Sequence, residues 1–115
     1  MRRCSMLQDE VRLQHMLDAA QKAVRYTQGR LRSDLETDEL LALTLVRLLE
    51  IIGEAAKNVS SMTRDKAPQI PWRQIAGTRD RLIHGYFAVD LDVFWAIVTS
   101  DLPSLIAGLQ HLLLK

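Results

Sequence analysis

The sequence predicts an all-α bundle of four to five helices in up-and-down order, and three observations carry that expectation. Apolar residues recur at three- and four-residue spacing through most of the 115 residues. Leucine dominates and aromatic residues make up only 5%, the composition of an aliphatic helical core. No segment alternates convincingly at period two, and no internal repeat is visible. The length fits one domain spanning residues 1–115.

The elements follow in order. Ser5 and Gln8 fit an S-x-x-Q capping box, and Leu13, Met16, Leu17, Ala20, Ala23 and Val24 continue at helical spacing until Gly29 stops the helix. Ser33 and Glu36 offer a second box, opening a helix that runs to about Val59. Its stretch Leu40 to Val46 is apolar almost all round, which suits a central position or a subunit interface. Arg47, Glu50, Glu54 and Lys57 share one face of it. They form either a solvated, internally paired stripe or the wall of a polar cleft. Gly53 costs about 1 kcal/mol relative to alanine inside a helix, so close approach of another helix is the expected reason for it.

Residues 60–70 read as a loop. Pro71 suits the first position of a helix with Trp72, Ile75 and Ala76 on its apolar face; Gly77 breaks or bends it, and Gly85 ends the segment. Asp90 looks like the N-cap of a last helical region running through Phe94, Val98, Leu105 and Leu109. Pro103 removes the hydrogen bond to the Thr99 carbonyl, so that region is expected to kink or divide.

Apolar residues are 48% and charged ones 25%, a globular balance. The net charge of +1 is segregated: +4 over residues 1–32, −5 over 33–54, +4 over 55–86 and −2 over 87–115. This alternation fits helix faces that pair with one another, or a basic surface around residue 80 suited to a polyanion. One cysteine, Cys4, forms no internal disulfide, which points to a reducing, cytoplasmic setting. Asp9 and Glu10 arrive before any signal-peptide core, and Leu40 to Ile52 is too short and too charged to span a membrane. No phosphate loop, G-x-S-x-G or H-E-x-x-H occurs, and His15, His84 and His111 lack ligand-spaced companions. No metal or cofactor is expected, so any catalysis must come from few groups.

Those groups lie together at residues 79–86, Arg-Asp-Arg-Leu-Ile-His-Gly-Tyr. Arginine anchors phosphate, histidine moves a proton near neutrality and tyrosine brings a hydroxyl. On a helix Asp80 and His84 are i, i+4 neighbours, which would orient the imidazole. Arg79 and His84 are about 140° out of phase on a straight helix. They meet only if the helix unwinds near Gly85 or if two copies converge across a dimer; the dimer also accounts for the apolar Leu40–Val46 stretch. The plain alternative is a helix C-terminus with a histidine against its dipole and surface arginines.

Residues 70–87, together with Arg47 to Lys57 upstream and Val89 to Trp95 and Asp101-Leu102-Pro103 downstream, resemble the linked motifs of HepT-like toxins of the HEPN superfamily. The resemblance covers nearly the whole chain in order. It implies a dimeric helical endoribonuclease whose R-x(4–6)-H-x-Y motif is Arg79, His84 and Tyr86. The position after the arginine is often asparagine in the family; here it is Asp80, a carboxylate that would repel phosphate and so suits a supporting, His84-orienting role. The family chemistry implied is metal-independent attack of the ribose 2′-OH, leaving a 2′,3′-cyclic phosphate. It also implies a minimal nucleotidyltransferase antitoxin that transfers AMP to Tyr86. The competing expectation is a non-catalytic helical module whose dimer cleft holds nucleotides or a partner.

Overall fold

The protein is described by a computed structural model that covers residues 2–78, 83–84 and 88–114, with side chains for 7–78 and 90–114. Three long helical limbs make the core: α1 (Arg2–Thr27), α3 (Glu39–Lys57), and a C-terminal limb of α6 (Leu91–Ala96), a π-helical turn (Ile97–Asp101) and α7 (Leu102–Leu113). Short helices α2 (Asp34–Thr37), α4 (Ser61–Asp65) and α5 (Trp72–Ala76) connect them. An antiparallel ladder of β1 (Ile83–His84) and β2 (Ala88–Val89) precedes α6.

Polar clasps fix the helix directions. Asp9 and Arg12, early in α1, bond Ser60 and the Asn58 carbonyl just beyond α3, so those helices run antiparallel. Arg32, beyond the end of α1, pairs with Asp92 at the start of α6 at 2.7 Å. The chain therefore rises along α1, descends α3, returns through α5 and the ladder, and descends again along α6–α7. The expected all-helical bundle is present, and the return between α3 and α6 holds only the five-residue helix α5 among its described helices. α1 packs against both α3 and α7. The buried core between the limbs is aliphatic apart from Met16, Phe94 and Trp72.

Local chemistry sets the boundaries. Gly29, at φ +73°, takes the left-handed conformation that stops α1. At its other end α1 begins at Arg2, so Ser5 lies inside the helix and is not its cap. The second expected box also fails. Ser33 makes no capping bond; Asp38 instead accepts from the Leu41 N–H and opens α3. Arg30 reaches both Asp34 (3.2 Å) and Asp38 (2.7 Å) and pins the intervening turn. The Arg30 bond, then the Leu41 N–H, hold the Asp38 carboxyl below its ordinary pKa. Pro71 is the N-cap residue of α5, one place before the first helical position expected for it. Asp90 caps α6 as anticipated, accepting from the Asp92 and Val93 N–H groups.

Pro103 divides the last limb without breaking it. The Leu102 N–H reaches back five residues to the Ile97 carbonyl, and the helix absorbs the missing Pro103 donor as a π-turn. Leu91–Leu113 forms 23 helical residues, including an 18-residue window of mean hydropathy 1.3, long and apolar enough by length and composition to cross a membrane. That run, rather than Leu40–Ile52, is the most membrane-like stretch among the described residues. Its Leu102, Leu105 and Leu109 are nevertheless buried in the core.

The expected loop at 60–70 contains a helix, and its cause lies on another element. Asp9, 3% exposed, accepts from the Ser60 N–H (3.1 Å), the Ser60 hydroxyl and the Thr63 hydroxyl (2.6 Å). Burial alone would raise the Asp9 pKa. The bonds from Ser60 and Thr63, with the Arg12 charge, outweigh it and hold the carboxyl below its usual value. A depressed carboxylate stabilises the fold above the unfolded-state pKa of about 3.9, and that contribution disappears as pH falls through the lower folded-state value. Asp9→Ala should lower unfolding free energy by about 1–3 kcal/mol at pH 7, because three donors lose their acceptor. Urea titrations at pH 7 and below pH 4 should show that deficit shrinking in acid; a deficit independent of pH would contradict the clasp.

Candidate active site

α3 supplies the seat for the segment that carries the motif. A β-carbon at Gly53 would stand 3.1 Å from the Ile75 carbonyl oxygen and 3.7 Å from that of Ala76. Glycine at this point lets the C-terminal end of α5 lie directly on the α3 backbone, as its unfavourable helix propensity suggested. Trp72 anchors the other end of α5, buried and donating its indole N–H to the Ala67 carbonyl at 3.0 Å. Gly77 caps the helix, and the buried Thr78 turns its hydroxyl back onto the Ile75 carbonyl at 2.6 Å. Arg79 is the next residue in the chain, so its starting point is held by backbone packing on one side and a side-chain clasp on the other.

Of the residues singled out in the sequence, Arg79, Asp80 and Tyr86 lie outside the described residues. His84 is placed by its backbone, in β1 opposite Ala88. A helix running to Gly85 is therefore not the structure at this point: Ile83 and His84 are extended and pair with Val89 and Ala88. The one-turn helical relation between Asp80 and His84 does not form, because extended backbone has no i, i+4 face. The phase conflict between Arg79 and His84 also loses its basis, since it assumed one continuous helix through both.

The polar stripe on α3 is largely solvent-exposed, with part of it facing an open groove. Arg47, Glu50 and Glu54 line a groove of about 570 Å³ between α3 and α1; Lys57 does not. Arg12 and His15 of α1 face them, with Leu7, Val11 and Ile51 supplying apolar surface. Arg12 is committed to the Asn58 carbonyl at 2.9 Å. The groove carries both signs of charge, which does not by itself favour a polyanion. Higher on α3, Leu40 and Leu43 are 76% and 60% exposed, an apolar face on the stretch expected to be central or interfacial.

Thr78 escaped the sequence reading, and a threonine immediately before a charged pair carries no recognisable signal. Its role depends on a helix end that only the fold defines.

This is a small helical bundle with an arginine–histidine–tyrosine stretch placed between a short seated helix and the final limb. A family model described as "HepT-like: Ribonuclease HepT-like" matches residues 16–112, and the chain belongs to that family. It is 37% identical over 103 residues to "Putative RNase TTE0752" of Caldanaerobacter subterraneus subsp. tengcongensis, covering 90% of this chain and 92% of that one. It is 40% identical over 93 residues to "Probable ribonuclease HepT" of Thermococcus cleftensis, covering 81% and 84%. A match of 38% over 96 residues to "Gamma-glutamylcyclotransferase and putative RNase MJ0434" of Methanocaldococcus jannaschii covers 84% of this chain but 43% of that protein. No solved structure gives a significant match.

The Gly53 seat yields a split between small and large substitutions. Gly53→Ala should change unfolding free energy by less than about 1 kcal/mol, since alanine's helix propensity offsets a small displacement of α5. Gly53→Val should cost about 1–3 kcal/mol by overpacking against the Ile75 carbonyl. Denaturant midpoints for both variants check this; equal effects would mean that the close approach does not limit the side chain at residue 53.

Proposed function

We propose that this chain is a metal-independent endoribonuclease toxin, acting as a homodimer in the cytoplasm. The observation that carries the reading is the family match over residues 16–112, which spans the Arg79, His84 and Tyr86 motif. Curated relatives whose printed names call them ribonucleases support it. RNA brings its own nucleophile, so the protein needs only to move protons and stabilise charge. His84 takes the 2′-OH proton, or gives one to the leaving 5′-oxygen, while Arg79 holds the non-bridging oxygens as negative charge grows. The products are a 2′,3′-cyclic phosphate and a 5′-hydroxyl. In a dimer, two copies of the motif divide the acid and base work. The exposed Leu40 and Leu43 give α3 an apolar face of the kind that a second copy would cover.

Asp80 serves as a supporting residue.

Purified protein should cleave single-stranded RNA in the presence of chelator and leave DNA of the same sequence intact. His84→Ala and Arg79→Ala should each lower the rate by about 10²-fold or more, within the range for loss of a positioned acid, base or charge stabiliser. Absence of chelator-resistant cleavage, with wild type and His84→Ala binding RNA alike, would favour the non-catalytic binding module.

Regulation is proposed to come from a minimal nucleotidyltransferase antitoxin. The Tyr86 oxygen attacks the α-phosphorus of ATP, a phenolic proton is lost and pyrophosphate leaves, so that AMP sits beside Arg79 and repels RNA. Intact-mass and peptide mass spectrometry of protein co-expressed with such a partner should find adenylyl groups on Tyr86. Neutralised toxin with an unmodified Tyr86 would remove this mechanism.

A further inference from the structure

A second concavity, of about 260 Å³, lies between α3, α5, the π-turn and α7. Its walls are aliphatic: Leu49, Ile52, Ile97, Leu102 and Leu105 are all buried side chains. Its mouth carries Gln69, Gln74, Ser100, Asp101 and Ser104. None of these five side chains bonds another described residue, and no lysine, arginine or histidine is among the described residues that line the space. Thr78 forms part of the wall, so the cavity adjoins the residue that launches Arg79.

The chemistry of the described lining favours a neutral ligand over an anion. The Asp101 carboxylate, the one charged group among the described lining residues, repels phosphate, and the two carboxamides and two hydroxyls offer hydrogen bonds to a neutral polar edge. Apolar walls suit the faces of a planar heterocycle. The volume lies just below the range of about 300–1,000 Å³ typical of sites for drug-sized ligands, the scale of one nucleobase. The π-turn makes the arrangement possible. Pro103 lacks the N–H that an ordinary helix would use, the helix widens at Ile97–Asp101, and the widened turn holds Ser100 and Asp101 at the cavity mouth. Such widened turns recur at functional sites.

We propose that this cavity is a base-recognition subsite for guanine, seating one nucleotide of the RNA whose phosphate Arg79 holds. The inference rests on the ribonuclease reading above. Guanine presents two adjacent donors, N1–H and the 2-amino group, which the two Asp101 carboxylate oxygens accept together. Gln74 and the Ser100 or Ser104 hydroxyl donate to its O6 and N7. Single-stranded RNA is read in this way, with splayed bases held in apolar slots and bonded along their edges.

The test titrates the 3′-monophosphates of guanosine, inosine, adenosine and uridine into the full-length wild-type chain by calorimetry, then into Asp101→Asn and Ser104→Tyr. Circular dichroism verifies that both variants, altered at exposed rim positions, are folded. Guanosine should bind about tenfold or more tightly than inosine, which lacks the 2-amino group, within the discrimination of a bidentate base contact. Asp101→Asn should abolish that preference, and Ser104→Tyr, which blocks the mouth, should abolish binding. Cleavage maps on mixed-sequence RNA should show cuts beside guanosine for wild type and scattered cuts for Asp101→Asn. Equal affinity for guanosine and inosine, a preference for adenosine or uridine, or a guanosine preference unchanged in Asp101→Asn would overturn the subsite even if RNA is cleaved. Guanosine selectivity that depends on Asp101, in a protein that cleaves no RNA, would uphold the subsite and overturn the nuclease reading instead.

Discussion

The approach of α5 to the bare backbone of Gly53 is the constraint on which the functional end of this molecule depends. Without a β-carbon in the way, the Ile75 and Ala76 carbonyls rest on α3, and the chain leaves α5 at a fixed height in the bundle. Thr78 then clasps the turn shut. A five-residue helix has too few internal hydrogen bonds to hold itself, so its order is borrowed from α3 and from the Trp72 anchor. Everything beyond Thr78 inherits its position from that borrowed order.

The sequence beyond the seat and the cavity beside it differ in chemistry. The Arg79 stretch carries cationic and proton-transferring residue types, whereas the described lining of the cavity beside Thr78 offers acceptors, amides and aliphatic walls. A polynucleotide has the same division between charged backbone and neutral heterocycle. The α1–α3 groove, with acids and bases mixed along it, lacks that division and fits no single sign of ligand.

Features set by short-range chemistry were legible in the sequence. Gly29 as a helix stop, Asp90 as a cap and Gly53 as a point of close approach each follow from one residue and its neighbours. Pro103 announced a break, but whether a helix kinks or widens depends on what packs around it. α4 was hidden because its decisive acceptor, Asp9, lies 51 residues from Ser60. The ladder at Ile83–His84 was hidden because two residues are too few to display a period. At the site, the motif was legible as a pattern of residue types. Its geometry was not, since the argument from helical phase assumed a helix that His84 does not occupy. The base-sized cavity draws its rim from α5, the π-turn and α7, a set of residues that no local spacing unites.

Asp9 has a bearing on the order in which the chain assembles. α4 is too short to persist alone, and its opening turn is satisfied by a carboxylate near the start of α1. It therefore cannot precede the docking of α1 on α3, however early its own residues are synthesised or collapse. Fraying of the first turns of α1 in the finished protein would release Ser60 and Thr63 in the same event. The early turns of α1 and the start of α4 thus open and close as one cooperative unit, although more than fifty residues separate them along the backbone.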